Sequence, residues 1–180
     1  MKRTLISLLA TLLLALFALP VAAETDDDLG VMALVPALHE PASSDSQPVA
    51  LYCGPTQSAY RHGDLTLNPD DPYLYFGQAD CWAMVALGTP EAPGPIGWVE
   101  AGMLDAPLAP ELLFEDSVLV MIEEDTFLTD EPDASEPPAL MSVARGTWVT
   151  LLARYGDWGY VQLELENAFI RAFLPLASFV

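Results

Sequence analysis

Apolar runs in this chain are cut short almost as soon as they begin. Segments rich in Val, Leu and aromatic residues last three to six positions, at 49–53, 73–76, 82–87, 97–99, 118–122, 148–153, 160–165 and 169–174. Breakers such as Asn68-Pro69-Asp70-Asp71-Pro72 and the proline-rich stretch 90–95 then intervene. Proline lacks a donor N–H and fixes φ, so a run it bounds cannot grow into a helix. Only 107–116 offers a weak helical turn or two. Many short strands punctuated by Pro and Gly imply an all-β chain, folded as a sandwich or as small barrels.

Charge narrows the partners. The 180 residues carry 26 Asp and Glu against 6 Lys and Arg, a formal net charge of −20. Lys2 is the only lysine, and past Arg3 the cations are Arg61, Arg145, Arg154 and Arg171. Nucleic-acid backbones and anionic lipid headgroups are held mainly by Lys and Arg, so the sequence predicts neither as a partner.

The first residues read as an export signal. Met1-Lys2-Arg3 is positive, Leu5 to Leu19 is almost unbroken apolar sequence, and Val21-Ala22-Ala23 places small residues where a signal peptidase cuts. The apolar run falls short of the ~20 residues that span a bilayer. Cleavage after Ala23 is therefore expected, with no stable membrane insertion afterwards and a secreted or envelope-associated product. Residues 24–47 then form an acidic, Ser/Pro-rich linker, with an apolar segment at 31–38 that has room for an extra strand. Export favours disulfides, and the two cysteines, Cys53 and Cys81, are the candidate pair. Closing that loop would remove unfolded-state entropy worth on the order of 3 kcal/mol.

One order of features occurs twice. Between Leu51 and Leu104 come Tyr52-Cys53-Gly54-Pro55, a variable loop, the run 73–76, Gly77, a polar turn, Trp82 opening a strand, and Gly97-Trp98-Val99. After Val118 come the loop 129–135, the run Gly146-Thr147-Trp148-Val149, the turn Tyr155-Gly156-Asp157, Trp158 opening a strand, and Ile170-Arg171-Ala172-Phe173. A tight turn that presents a Trp at the start of a strand suits a small barrel, where the Trp covers one mouth.

Both halves resemble the bacterial Src-homology-3-like (SH3-type) domain, a small antiparallel barrel. The first does so through Tyr52, Gly54, Pro55, Gly77, Trp82, Val85, Gly97, Trp98 and Val99. The second does so through Glu131, Pro132, Ser135, Gly146, Thr147, Val149, Leu152, Gly156, Asp157, Trp158, Tyr160, Val161, Phe173, Pro175 and Leu176. The resemblance implies two small antiparallel SH3-like barrels in tandem, at 48–107 and 108–180. It departs from the family at Ala172, where the final strand usually carries Gly, and in the long 61–72 loop.

Candidate chemistry is sparse. Asp80-Cys81 resembles the nucleophile of Cys–His wall endopeptidases, but both histidines, His39 and His62, precede it and a strand follows it. A thiol nucleophile needs a base or a helix N-terminus to ionise it. Arg61-His62-Gly63-Asp64 reads as a solvated loop. The acidic clusters at 26–28, 69–71 and 123–136 lack the alternating oxygen-ligand spacing of a calcium loop. No catalytic residue, metal site or cofactor is expected. The aromatics carry the functional reading: any one of them is expected to pack the barrels or the interface between the two units, and Tyr52, Tyr60, Trp82 and Trp98 are the candidates for a ligand groove. A groove set among acids favours cationic or neutral partners. The sequence thus predicts a non-enzymatic exported module that binds cell-wall peptide or glycan, the alternative being a protein-interaction or spacer protein that holds another exported protein. Oligomeric state is left open.

Overall fold

The computed structural model describes residues 30–40, 47–104 and 110–179; the segment read as an export signal and half of the stretch read as an acidic linker lie outside them. The described chain is all-β. Its strands are β1 (Met32–Ala33), β2 (Ala37–His39), β3 (Val49–Tyr52), β4 (Arg61–Leu67), β5 (Tyr73–Ala79), β6 (Trp82–Thr89), β7 (Ala92–Glu100), β8 (Val118–Met121), β9 (Thr126–Leu128), β10 (Met141–Val143), β11 (Trp148–Tyr155), β12 (Trp158–Glu164) and β13 (Phe169–Pro175). Two short 3-10 turns, Ala101–Met103 and Leu176–Ser178, complete it. Residues 110–116, where a helical turn was expected, contain none.

The repeat read from the sequence appears as two antiparallel meanders. β5, β6 and β7 form one and β11, β12 and β13 the other. Trp82 and Trp158 open the middle strand of each, facing Ala79 and Tyr155 across a tight turn. A register shift interrupts both first hairpins, between Tyr75 and Gly77 in one and between Leu151 and Ala153 in the other. At its bulge, Gly77 has φ 153° and leaves no room for a Cβ beside the Pro110 carbonyl and Leu112, a conformation and an approach that only glycine tolerates.

No sheet closes into a barrel. The first runs β2-β5-β6-β7-β3-β4; the second runs β1-β11-β12-β13, with β8 also paired to β11; a two-stranded third pairs β9 with β10. An open sheet must bury its apolar face against something, and here the two sheets bury theirs against each other. One core joins Leu74, Phe76, Trp82, Met84, Ala86, Ile96 and Trp98 from the first sheet to Leu152, Ala153, Tyr160 and Phe173 from the second. A smaller cluster around Leu51, Tyr73, Val85 and Val99 fills the other side of the first sheet. Residues 31–180 accordingly form one compact unit.

The connecting segments stitch that unit together. The apolar segment at 31–38 gives two short strands: β1 lies parallel to β11 in the second sheet, while β2 pairs with β5 in the first. Leu34, between them, is buried in the shared core. Likewise the Gln78 N–H donates to the Pro110 carbonyl and the Leu112 N–H to the Gln78 carbonyl, and Thr129, just after β9, exchanges two backbone bonds with Phe173 of β13.

Two segments read as breakers or loops are strands. β7 begins at Ala92 and passes through Pro93 and Pro95, and its pairing with β6 shifts register between Ala86 and Gly88. Proline can enter a strand where the ladder is already interrupted. β4 contains Arg61-His62-Gly63-Asp64, expected as a loop; it is an edge strand, held by backbone pairing to β3, and an edge carries no demand for apolar alternation.

Candidate functional site

The four groove candidates do not share a floor. Trp98 lies mid-strand in β7, opposite Tyr52 on β3 and Met84 on β6, and has no exposed surface. Its Nε1–H donates to the Tyr160 hydroxyl at 2.6 Å. Phe114 meets its ring edge-on at 6.5 Å. Trp82 is also buried, at the rim of the same core. Tyr52 is half-buried, its ring edge-to-face with Trp82 at 5.4 Å. Tyr60 stands apart, 51% exposed. For Trp98 the packing alternative is therefore the one realised, because the second sheet and Phe114 cover its ring.

Arg171 completes that packing, and the sequence reading missed it. Its guanidinium lies 6.0 Å from the Trp98 ring centroid, 5.3 Å from Phe114 and 5.6 Å from Phe169. Its Nε donates to Gln162 at 2.8 Å, and its backbone N–H donates to the Cys53 carbonyl. A cation over aromatic faces gains electrostatically while its stem stays apolar. Burial lowers the Arg171 pKa, opposed by Tyr160 and Glu164; burial raises that of Tyr160, opposed by Arg171 and the Trp98 hydrogen bond. The only available signal was an arginine inside the apolar run 169–174.

The expected disulfide is not formed. Both cysteines are free; Cys53 is buried at the end of β3 and Cys81 is exposed in the β5–β6 turn. Burial, with the Asp130 carboxylate nearby, pushes the Cys53 thiol up to about 12. Cys81 follows Asp80, which has φ 52°, so it sits in a hairpin turn with no helix N-terminus behind it.

A surface cleft of about 530 Å³ does open beside one of the four candidates, Trp82. Thr56 and Gln57 from the β3–β4 loop, Cys81, Trp82, Glu100 and Gly102 line it. Trp82 faces Glu100 across β6 and β7, and Gln57 Nε2 donates to Glu100 Oε1 at 2.7 Å. The cleft thus offers an apolar ring edge, hydroxyl and amide groups, and one carboxylate. No family model, curated protein or solved structure matches the chain. The reading of the cleft accordingly rests on its residues.

The acidic clusters serve the fold where they are described. Asn68 and Asp71 close a turn through the Asn68 side-chain amide. Asp125 accepts the Arg145 backbone N–H at 2.8 Å, and Asp133 accepts the Tyr155 hydroxyl at 2.6 Å. Among the described residues no group of three or more His, Cys, Asp or Glu could hold a metal ion, and no helix is long and apolar enough to cross a membrane. The cluster at 26–28 lies outside the described residues.

Proposed function

We propose that this is a non-enzymatic, exported binding module that takes a neutral or cationic chain, foremost a cell-wall peptide stem or glycan, in the cleft beside Trp82. The cleft itself carries the reading: it joins an aromatic edge to hydrogen-bonding groups and a carboxylate, the mixture that orients polar ligands over an apolar surface. Its sign excludes anionic wall polymers and favours an amine-bearing stem. The two meanders, each led by a turn and a Trp, support descent from paired SH3-type units whose barrels have opened onto one another. An interaction with another exported protein is the second reading, favoured by an exposed apolar strip on β8.

Co-sedimentation of the purified protein with peptidoglycan stripped of teichoic acid tests the first reading. Saturable sedimentation is expected, and Glu100→Lys should weaken it at least about fivefold by placing a like charge against the ligand. Tyr60→Ala, outside the cleft, should leave it unchanged. No sedimentation at low or physiological salt, or equal sedimentation of Glu100→Lys, overturns it.

A further inference from the structure

On the second sheet, β8 pairs with β11 along one edge, and among the described residues its other edge has no strand beside it. Val120 points into the core, opposite Val149. The opposite face is apolar and bare: Leu119 is 62% exposed, Met121 42% and, directly opposite Met121 on β11, Trp148 58%. The strand alternation places these three side chains together on one face. Single exposed apolar residues are ordinary, but a contiguous strip along an open strand edge marks an interaction site.

The surrounding charge selects the occupant. Exposed Glu115 and Asp116 precede the strand, and exposed Glu123, Glu124 and Asp125 follow it, with Arg145 the nearby cation. A second copy of a chain with net charge −20 would bring like charge against like. A segment with alternating apolar and basic side chains would instead set its apolar side chains on Leu119 and Met121 and an arginine over Trp148.

We propose that the open edge of β8, with Leu119, Met121 and Trp148 on its bare face, docks an extended, basic segment of a second protein as an added strand. This surface belongs to a different sheet from the cleft beside Trp82 and stands whether or not that cleft binds wall material.

Calorimetric titration with three synthetic ten-residue peptides tests it: alternating Val and Arg, alternating Val and Glu, and the Val/Arg sequence with alternate backbone nitrogens methylated to block strand pairing. The Val/Arg peptide should bind saturably at one site. Trp148→Ala and Leu119→Ser should each weaken it at least about tenfold, while Glu100→Lys, in the cleft, leaves it within about twofold. The Val/Glu and methylated peptides should not bind. The proposal is overturned if the Val/Arg peptide fails to bind, if either control peptide binds as well as it does, or if both patch variants bind it unchanged. It is also overturned if sedimentation velocity gives a dimer that Leu119→Ser dissociates, for then the strip is covered by a second copy.

Discussion

Trp98→Ala is expected to lower stability by about 3–5 kcal/mol, the range for emptying a buried tryptophan site, or roughly 10–15 °C in melting temperature for a chain of this size. The substitution removes a side chain with no exposed surface and the donor to the Tyr160 hydroxyl. It also removes one of the three rings over Arg171, and leaves a buried hydroxyl and a half-buried cation with fewer partners. Because the core is shared between the sheets, the loss should not stay in the first half. Thermal unfolding followed by near-ultraviolet dichroism and by limited proteolysis should give one transition, with cleavage in both halves at the same temperature. Two separable transitions, with residues 118–179 persisting after 49–100 have melted, would contradict a common core. Tyr60→Ala, at an exposed position, should change stability by less than about 0.5 kcal/mol.

The comparison between Trp98 and Tyr60 also marks what was legible in the sequence. Periodicity cannot tell a tryptophan on a groove floor from one under a second sheet, since both lie on an apolar strand beside glycine. What buries Trp98 is remote: Phe114 from a segment read as a weak helical turn, and Tyr160 and Arg171 from the other half of the chain. The strands themselves were legible wherever apolar residues recur within a few positions, as at 82–87 and 169–174. They were hidden in β4, whose Arg-His-Gly-Asp start has no apolar pattern, and in β7, where Pro93 and Pro95 occupy a strand whose ladder shifts register. The doubled order of turn and tryptophan was legible too, because local turn chemistry fixes each meander. Whether a meander closes on itself or on its neighbour depends on long-range packing that no local pattern encodes. The Cys53–Cys81 pairing failed for the same reason, since compartment and spacing bear on whether two thiols would be oxidised but not on whether the fold brings them together.

The two thiols should differ sharply in reactivity. At pH 8, an aromatic disulfide reagent is expected to titrate about one thiol per native chain, and Cys81→Ser should abolish that fast phase, because Cys81 is exposed and Cys53 buried. Thiolate is the reacting form, so a pKa raised from 9.0 to about 12 lowers the reactive fraction of Cys53 about a thousandfold before steric protection is counted. The intact mass should carry both thiol hydrogens; a mass two units lower, with neither thiol titratable until reduction, would sink this arrangement and restore the disulfide. The same burial sets a pH dependence. Unfolded Cys53 ionises near its ordinary value while the folded chain holds the proton, so stability attributable to this thiol is fully present below about pH 9 and is lost as pH climbs toward about 12. The loss approaches about 4 kcal/mol at the upper end if the full shift is expressed. Half-buried Tyr155 and buried Tyr160, both raised by burial, add losses of the same sign at higher pH. The Cys53 share must therefore be read as the difference between the parent and Cys53→Ala in denaturant midpoints measured from pH 8 to pH 11. A steeper alkaline decline in the parent is expected, and parallel curves would show that Cys53 ionises as easily folded as unfolded.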